Sequence, residues 1–227
     1  AHQKAGLHTP EQQAIHLAIP VLEGNGLAFT KPQLMAAAKE FEQDSLSLQA
    51  IEKEADRQVR SGDLLSVPVS PGNGLQLLVS RQSYNAEKSI IRHVLEGKEA
   101  VTPLMDKVPD AQLAGLTDGQ RNATRMILES PDRFTLVQGY AGVGKTTQFR
   151  AVMSAIGTLP EREQPRVIGV APTHRAVSEM RDAGVPETQT LAAFIHDTQQ
   201  QLRGGERTDF SNVLFLVDES SMVGNAD

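Results

Sequence analysis

The sequence has 227 residues, 39% of them hydrophobic, with a net charge of −6 and no cysteine. That length fills one or two domains, while the missing thiols exclude a disulfide framework and a thiolate metal site and suit a reducing compartment. No apolar run approaches the roughly 18 residues of a membrane span, and the acidic balance offers nucleic acid no global field, so any contact with it must come from a local groove.

The chain opens on Ala1 rather than Met, without an apolar leader, as an excised fragment would. Thr9-Pro10-Glu11-Gln12 has the form of a helix start, with Thr9 as cap and Gln12 closing a capping box. Ile15, Leu17, Ala18, Ile19 and Leu22 give that helix an apolar face, which Pro20 either kinks or cuts short. Thr30 to Gln33 repeats the start signal ahead of Leu34, Ala37, Ala38 and Phe41, and a third helix is predicted from about Leu46 to Arg60. Leu64–Val69 and Leu75–Val79 flank a Pro71-Gly72-Asn73-Gly74 turn and predict a β-hairpin. Three helices and a hairpin are the layout of a winged-helix domain, whose third helix often meets nucleic acid. Lys53, Arg57 and Arg60 lie on that helix, but Glu52, Glu54 and Asp56 are interleaved with them, and a solvated charged face is the simpler reading.

Tyr84 to Glu96 is predicted helical, closing a first domain over residues 1–97. Residues 98–112 are weakly patterned and read as a linker to a second domain over 113–227. Thr117 and Gln120 form another capping box, opening a helix to about Leu128. Phe134–Val137 is a predicted strand, Thr147–Ile156 a helix, Arg166–Ala171 a buried strand, Thr173 the cap of a helix to Ala183, Gln189–Gln200 a helix, and Val213–Val217 a final strand. Strands alternating with helices predict a parallel α/β sheet.

Between the strand at Phe134 and the helix at Thr147 lies a match to G-x-x-x-x-G-K-[ST], at Gly139, Gly144, Lys145 and Thr146. Gly139, Gly142, Val143, Gly144, Lys145, Thr146 and Thr147 are the candidate phosphate cradle. Backbone N–H groups at a helix N-terminus favour anions, Lys145 reaches for the terminal phosphates of ATP, and the Thr146 hydroxyl is a Mg²⁺ ligand. The apolar run Val213–Val217 ends in Asp218-Glu219. In a phosphate-loop fold a strand-end Asp holds Mg²⁺ through water, and the next carboxylate can orient or deprotonate the attacking water. Lys145, Asp218 and Glu219 are therefore the catalytic candidates. The Gln120 amide could read adenine as well as close its capping box, and residues alone leave the two roles even. Residues 172–175 follow a strand, where β-to-α loops face ligands. The six histidines show no metal-ligand spacing.

Leu116-Thr117-x-x-Gln120, Gly139-Tyr-Ala-Gly-Val-Gly-Lys-Thr146, Ala171-Pro-Thr-His-Arg-Ala176, Thr190-Leu-Ala-Ala-Phe-Ile195 and Val217-Asp-Glu-Ser-Ser-Met222 stand in the order of the first helicase motifs. From about 113 to 227 the chain resembles the RecD-like superfamily-one DNA helicases, in particular the helicase region of conjugative relaxase-helicases of the TraI type. The resemblance implies a RecA-like phosphate-loop sheet behind a winged-helix-like domain. It also implies ATP-driven 5′-to-3′ movement on single-stranded DNA during plasmid transfer, in the bacterial cytoplasm, by a protein that is also a relaxase. It makes Gln120 the adenine reader and puts Pro172, Thr173, His174 and Thr190 on single-stranded DNA.

Such a helicase has a Gly-Asp-x-x-Gln motif and a second RecA-like domain with its arginines, which lie past Asp227. The expectation is an incomplete sheet and a fragment inactive by itself, since an arginine finger contributes about 10³ to 10⁵ in rate. A reading of another class makes the chain a docking or translocation-signal module for the type IV secretion machinery, with an idle nucleotide site. A phosphate-loop GTPase or kinase fits less well, given Gln120 and Ala171-Pro172-Thr173.

Overall fold

The computed structural model describes residues 9–26, 28–41, 46–67, 76–139 and 144–223. The chain divides into two compact units, Ala1–Ile91 and Arg92–Asn225.

In the first unit, α1 (Pro10–Asn25) starts at the predicted capping box: the Thr9 hydroxyl accepts the Gln12 N–H at 3.4 Å and Gln12 Oε1 accepts the Thr9 N–H at 3.2 Å. The helix continues through Pro20 to Asn25. Ala14, Ile15 and Ala18 are buried ahead of that proline, and tertiary packing of this kind outweighs one missing backbone hydrogen bond. β1 (Phe29–Thr30) leads into α2 (Lys31–Glu40), capped by Thr30 and Gln33. Next come α3 (Leu48–Ser61), β2 (Leu64–Val67) and β3 (Leu77–Ser80). The predicted turn at 71–74 lies outside the described residues, yet β2 and β3 pair antiparallel from Leu64↔Ser80 to Val67↔Leu77. β1 joins the far side of β3 through Phe29↔Leu78, giving the order β1-β3-β2. Two residues are too short to show a period, so β1 had no signal of its own in the sequence.

Ile15, Leu34, Ile51, Leu64 and Leu78 are buried between the three helices and this small sheet. On the surface, Arg57 binds Glu54 bidentately at 2.7 and 2.6 Å, and Gln58 Nε2 donates to the same carboxylate at 3.0 Å. The Arg57 guanidinium holds the Glu54 carboxyl below its ordinary range. Lys31 bridges to Asp56 at 2.8 Å and to Glu52 at 3.0 Å, and those two carboxylates, Asp56 foremost, raise its pKa. Of the interleaved charges of α3, Glu54 and Arg57 pair with each other, and Glu52 and Asp56 pair with Lys31 of α2.

α4 (Arg81–Glu96) begins ahead of the predicted Tyr84, and the division between units falls within it. The Ser80 hydroxyl accepts the Ser83 N–H at 3.1 Å, and Glu23 accepts both the Ser80 N–H at 3.2 Å and the Ser83 hydroxyl at 2.7 Å. The Ser80 cap is local, but the support it receives from Glu23 of α1 is invisible to local sequence reading.

The second unit contains α5 (Asp110–Leu113), α6 (Asp118–Glu129), α7 (Lys145–Ile156), β4 (Arg166–Ala171), α8 (His174–Asp182), β5 (Glu187–Thr190), α9 (Leu191–Arg203) and β6 (Val213–Val217). β5, β4 and β6 form a parallel sheet in that order. Residues 98–112 contribute to the core of this unit: Met105 and Val108 are buried, and the Met105 N–H donates to the Leu128 carbonyl at 2.9 Å. On one face, Val167, Ala171 and Leu216 share a core with Val152, Ala155, Val177 and Met180 of α7 and α8. Gly169 allows that closeness, since a Cβ there would lie 2.8 Å from Met180 Cε and 3.1 Å from Val185 Cγ1. Phe194, Phe210 and Phe215 pack together with ring centroids 5.4 to 5.8 Å apart.

Two sequence expectations are corrected here. The predicted helix from Gln189 starts at Leu191, because Glu187–Thr190 is a strand. Glu-Thr-Gln-Thr has no apolar run, but its ladder to β4 runs from Ile168↔Glu187 to Ala171↔Thr190, and Arg166 clamps Glu187 at 2.6 and 2.7 Å. Conversely, Phe134–Val137 is not a strand. A short apolar run becomes a strand only beside a partner ladder; β6 pairs with β4, and Leu136 is 80% exposed.

Candidate nucleotide site

The carboxyl ends of β4, β5 and β6 collect the polar residues singled out in the sequence. β6 delivers Asp218, whose N–H donates to the Val170 carbonyl at 3.1 Å, so the strand ladder continues one residue and fixes the carboxylate. Asp218 is 8% exposed. Its Oδ1 accepts the Glu219 N–H at 2.8 Å and the Lys145 ammonium at 3.0 Å. Lys145 is the first residue of α7, and Gly144 before it has φ +83°, a conformation that suits glycine. The two halves of the predicted site, 73 positions apart, are therefore in contact.

Gln120 reaches the same corner. Its Oε1 accepts the Thr117 N–H at 3.0 Å, completing the capping box, while its Nε2 donates to the Gly144 carbonyl at 3.3 Å. A Cβ on Gly144 would stand 2.7 Å from that nitrogen, so glycine also makes room for the amide. Both ends of the Gln120 amide are engaged, the oxygen by Thr117 and the nitrogen by Gly144. Thr146 is partly buried and Thr147 exposed on the first turn of α7, and Gly139 is exposed. Gly142 and Val143 lie outside the described residues.

The predicted DNA-facing residues occupy the neighbouring strand ends. Pro172 and Thr173 follow β4, His174 is exposed at the start of α8, and Thr190 ends β5. Thr173 and Thr190 cap α8 and α9, accepting the N–H groups of Ala176 and Ala193, each at 3.2 Å. The Thr173 hydroxyl also donates to Glu219 Oε2 at 2.9 Å. Glu219 itself has φ +53°, the left-handed region that a non-glycine residue adopts at a cost. Sequence reading missed both the Gln120–Gly144 and the Thr173–Glu219 contacts, because no linear spacing announces them.

These residues fit a magnesium nucleotide. The N-terminus of a 12-residue helix, a lysine and a buried carboxylate converge, and among the described residues no cluster of three His, Asp or Glu side chains could hold a metal alone. An ion here therefore needs ligands brought with the phosphates. A separate groove of about 640 Å³ lies along β5 and α9, lined by Arg166, Glu187, Asp197, Arg207 and Phe210 and including none of the residues above. Its charges are mixed, and Arg166 and Glu187 neutralise each other.

Comparison with known proteins agrees with this geometry. Residues 115–227 match the AAA domain family. Over all 227 residues the chain is 63% identical to the multifunctional conjugation protein TraI of Escherichia coli strain K12. That likeness to TraI runs through the whole chain. A second TraI protein of Escherichia coli is 64% identical over 225 residues, 99% of the chain. In each case the chain spans 13% of the relative's length. The TraI likeness extends through the first unit as well as the AAA domain, and so takes in the helical and hairpin segments before residue 91. Among the described residues, no helix is long and apolar enough to cross a membrane.

Proposed function

We propose that the second unit is the nucleotide-binding part of an ATP-dependent helicase that moves 5′-to-3′ on single-stranded DNA during conjugative plasmid transfer. The first unit is its winged-helix-like companion. The observation that carries this reading is the Lys145–Asp218 contact at 3.0 Å, which joins the phosphate loop to the strand-end carboxylate.

ATP bound with Mg²⁺ supplies the phosphoryl group whose hydrolysis drives movement. Lys145 exchanges Asp218 for the terminal phosphates, and the N–H groups at the start of α7 add their dipole. Asp218, through water, and the Thr146 hydroxyl would hold the ion, and Glu219 would orient or deprotonate the attacking water. The Gln120 amide would read the adenine edge. Pro172, Thr173, His174 and Thr190 line the single-stranded DNA path, where a local surface serves despite the net charge of −6. The family likeness supports placing the protein in the bacterial cytoplasm, with the type IV coupling machinery as a further partner and relaxase activity in the whole protein.

Titration with ATP and Mg²⁺ tests the reading. Lys145→Ala is expected to weaken binding at least about tenfold, the equivalent of roughly 1.4 kcal/mol. Equal affinity in the variant would remove the phosphate loop from the site. In the natural polypeptide that carries these residues, ATP turnover should rise on adding single-stranded DNA.

A further inference from the structure

The helix that carries Gln120 starts on a peptide group gripped from both sides. The Thr117 N–H donates to Gln120 Oε1 at 3.0 Å, and the Leu116 carbonyl, the other half of the same peptide group, accepts from Arg121 Nε at 2.9 Å. The Leu116 side chain is buried in the core with Leu113 and Leu128, which anchors the chain at that Cα. A planar peptide between anchored Cα atoms can still turn its carbonyl to either side, so its polar partners decide which way it faces. Arginine has donors and no acceptor, and can therefore hold only the carbonyl.

From that constraint the polarity runs on into the site. With the carbonyl on Arg121, the N–H faces Gln120 and takes the amide oxygen, since Nε2 in that place would set donor against donor. Nε2 is thereby turned to the Gly144 carbonyl, which it reaches at 3.3 Å. The opposite amide orientation would put Oε1 against a carbonyl and Nε2 against an N–H. Arg121, the Leu116–Thr117 peptide and Gln120 thus form one donor–acceptor chain, begun by a cation. The capping box alone does not call for an arginine: the same Thr–Gln pair opens α2, where the next residue is Leu34, which is buried and has no donor. Arg121 Nη1 lies 3.7 Å from Asp118, whose side chain is 95% exposed, too far for a hydrogen bond.

We infer that Arg121 is a positioning residue that sets the orientation of the Gln120 amide, and with it the selectivity for adenine over a 6-oxo purine. The inference rests on the reading of Gln120 as the adenine reader. Adenine presents an N6 donor beside the N7 acceptor, whereas a 6-oxo purine presents two acceptors there. An amide that can turn end for end matches either pattern in part. An amide whose oxygen and nitrogen have assigned places favours one.

The test measures binding of ATP, of inosine triphosphate (its 6-oxo counterpart) and of tripolyphosphate, each with Mg²⁺. The proteins are the natural polypeptide and its Arg121→Met, Arg121→Lys and Gln120→Ala variants. Methionine keeps an unbranched apolar stem and loses every donor. It should lower the ratio of ATP to inosine triphosphate affinity about fivefold, the factor that one ordinary hydrogen bond contributes to an equilibrium. Affinity for tripolyphosphate, which has no base, should be unchanged. Arg121→Lys still donates and should keep more of the ratio than methionine. In the double variant the ratio should equal that of Gln120→Ala alone. An unchanged ratio in Arg121→Met overturns the inference, and so does a parallel loss for all three ligands, which marks a general loss of structure. A lysine variant no better than methionine, or a further fall in the double variant, overturns it too. If the natural polypeptide does not prefer ATP, or prefers it as strongly with Gln120→Ala, the reading of Gln120 fails and the inference falls with it. If the preference exists and depends on Gln120, failure in the arginine variants counts against Arg121 alone.

Discussion

The two units use polar side chains in opposite ways. In the first, charged groups close on the faces of α2 and α3: Arg57 on Glu54, and Lys31 on Asp56 and Glu52. In the second, the polar contacts that matter join distant segments at strand ends: Lys145 with Asp218, Thr173 with Glu219, and Gln120 with Gly144. Pairing on exposed helix faces adds modest stability and leaves little to offer a ligand. Pairing between loops at one end of a parallel sheet leaves groups that a ligand can claim by exchange, which is the usual place for sites in such sheets. The lesson is one of location. A charged helix in a winged-helix layout is not by itself a nucleic-acid surface, whereas a lysine, two carboxylates, a hydroxyl and an amide gathered at strand ends make a candidate site.

Core truncations probe this contrast most strongly. Leu34→Ala and Met180→Ala each remove a fully buried side chain, one from each core, and should cost about 2 to 5 kcal/mol in denaturant unfolding. Met180→Ala should also weaken ATP binding, because Met180 packs against the middle of β4, whose carboxyl end leads into the site. Leu34→Ala should leave ATP binding intact; a loss there would break the division of labour between the units.

A smaller effect is expected from crowding the second sheet. Gly169→Ala places a Cβ 2.8 Å from Met180 Cε and should destabilise by about 1 to 3 kcal/mol. Pairing it with Met180→Ala should recover part of that loss, since the smaller side chain vacates the contact. Additive losses would show that Val185 and Thr188, at 3.1 and 3.2 Å, set the limit instead.

The smallest effects come from the ion pairs. Arg57 lowers the Glu54 pKa and Arg166 lowers that of Glu187. A carboxyl with a depressed folded pKa stabilises above its unfolded value and loses that contribution as pH falls through the folded one. Glu54→Gln should therefore cost about 1 kcal/mol near neutral pH, because the Glu54 side chain is only 10% exposed. Glu187→Gln should cost about 0.5 kcal/mol or less, its side chain being 46% exposed. Both differences should shrink on acidification below the ordinary carboxylate range, measured as unfolding midpoints against pH. A cost that persists in acid would assign these residues to packing rather than charge.

Much of this was legible in the amino-acid order alone. Thr9 with Gln12, Thr30 with Gln33 and Thr117 with Gln120 marked three helix starts that form as written, because a capping box is complete within four residues. Gly144-Lys145-Thr146 and Asp218-Glu219 were legible as a candidate site, because phosphate and magnesium call for those groups in that local setting. Tertiary structure alone decided the rest. Glu187–Thr190 is a strand because β4 offers it a ladder, and Phe134–Val137, more apolar, joins no ladder. Pro20 stays inside a helix because the residues before it are buried. Two bonds of the site, Gln120 to Gly144 and Thr173 to Glu219, span 24 and 46 positions. Local chemistry is set by neighbours in the chain, whereas a hydrogen bond between distant loops exists only once the sheet and its helices have brought them together.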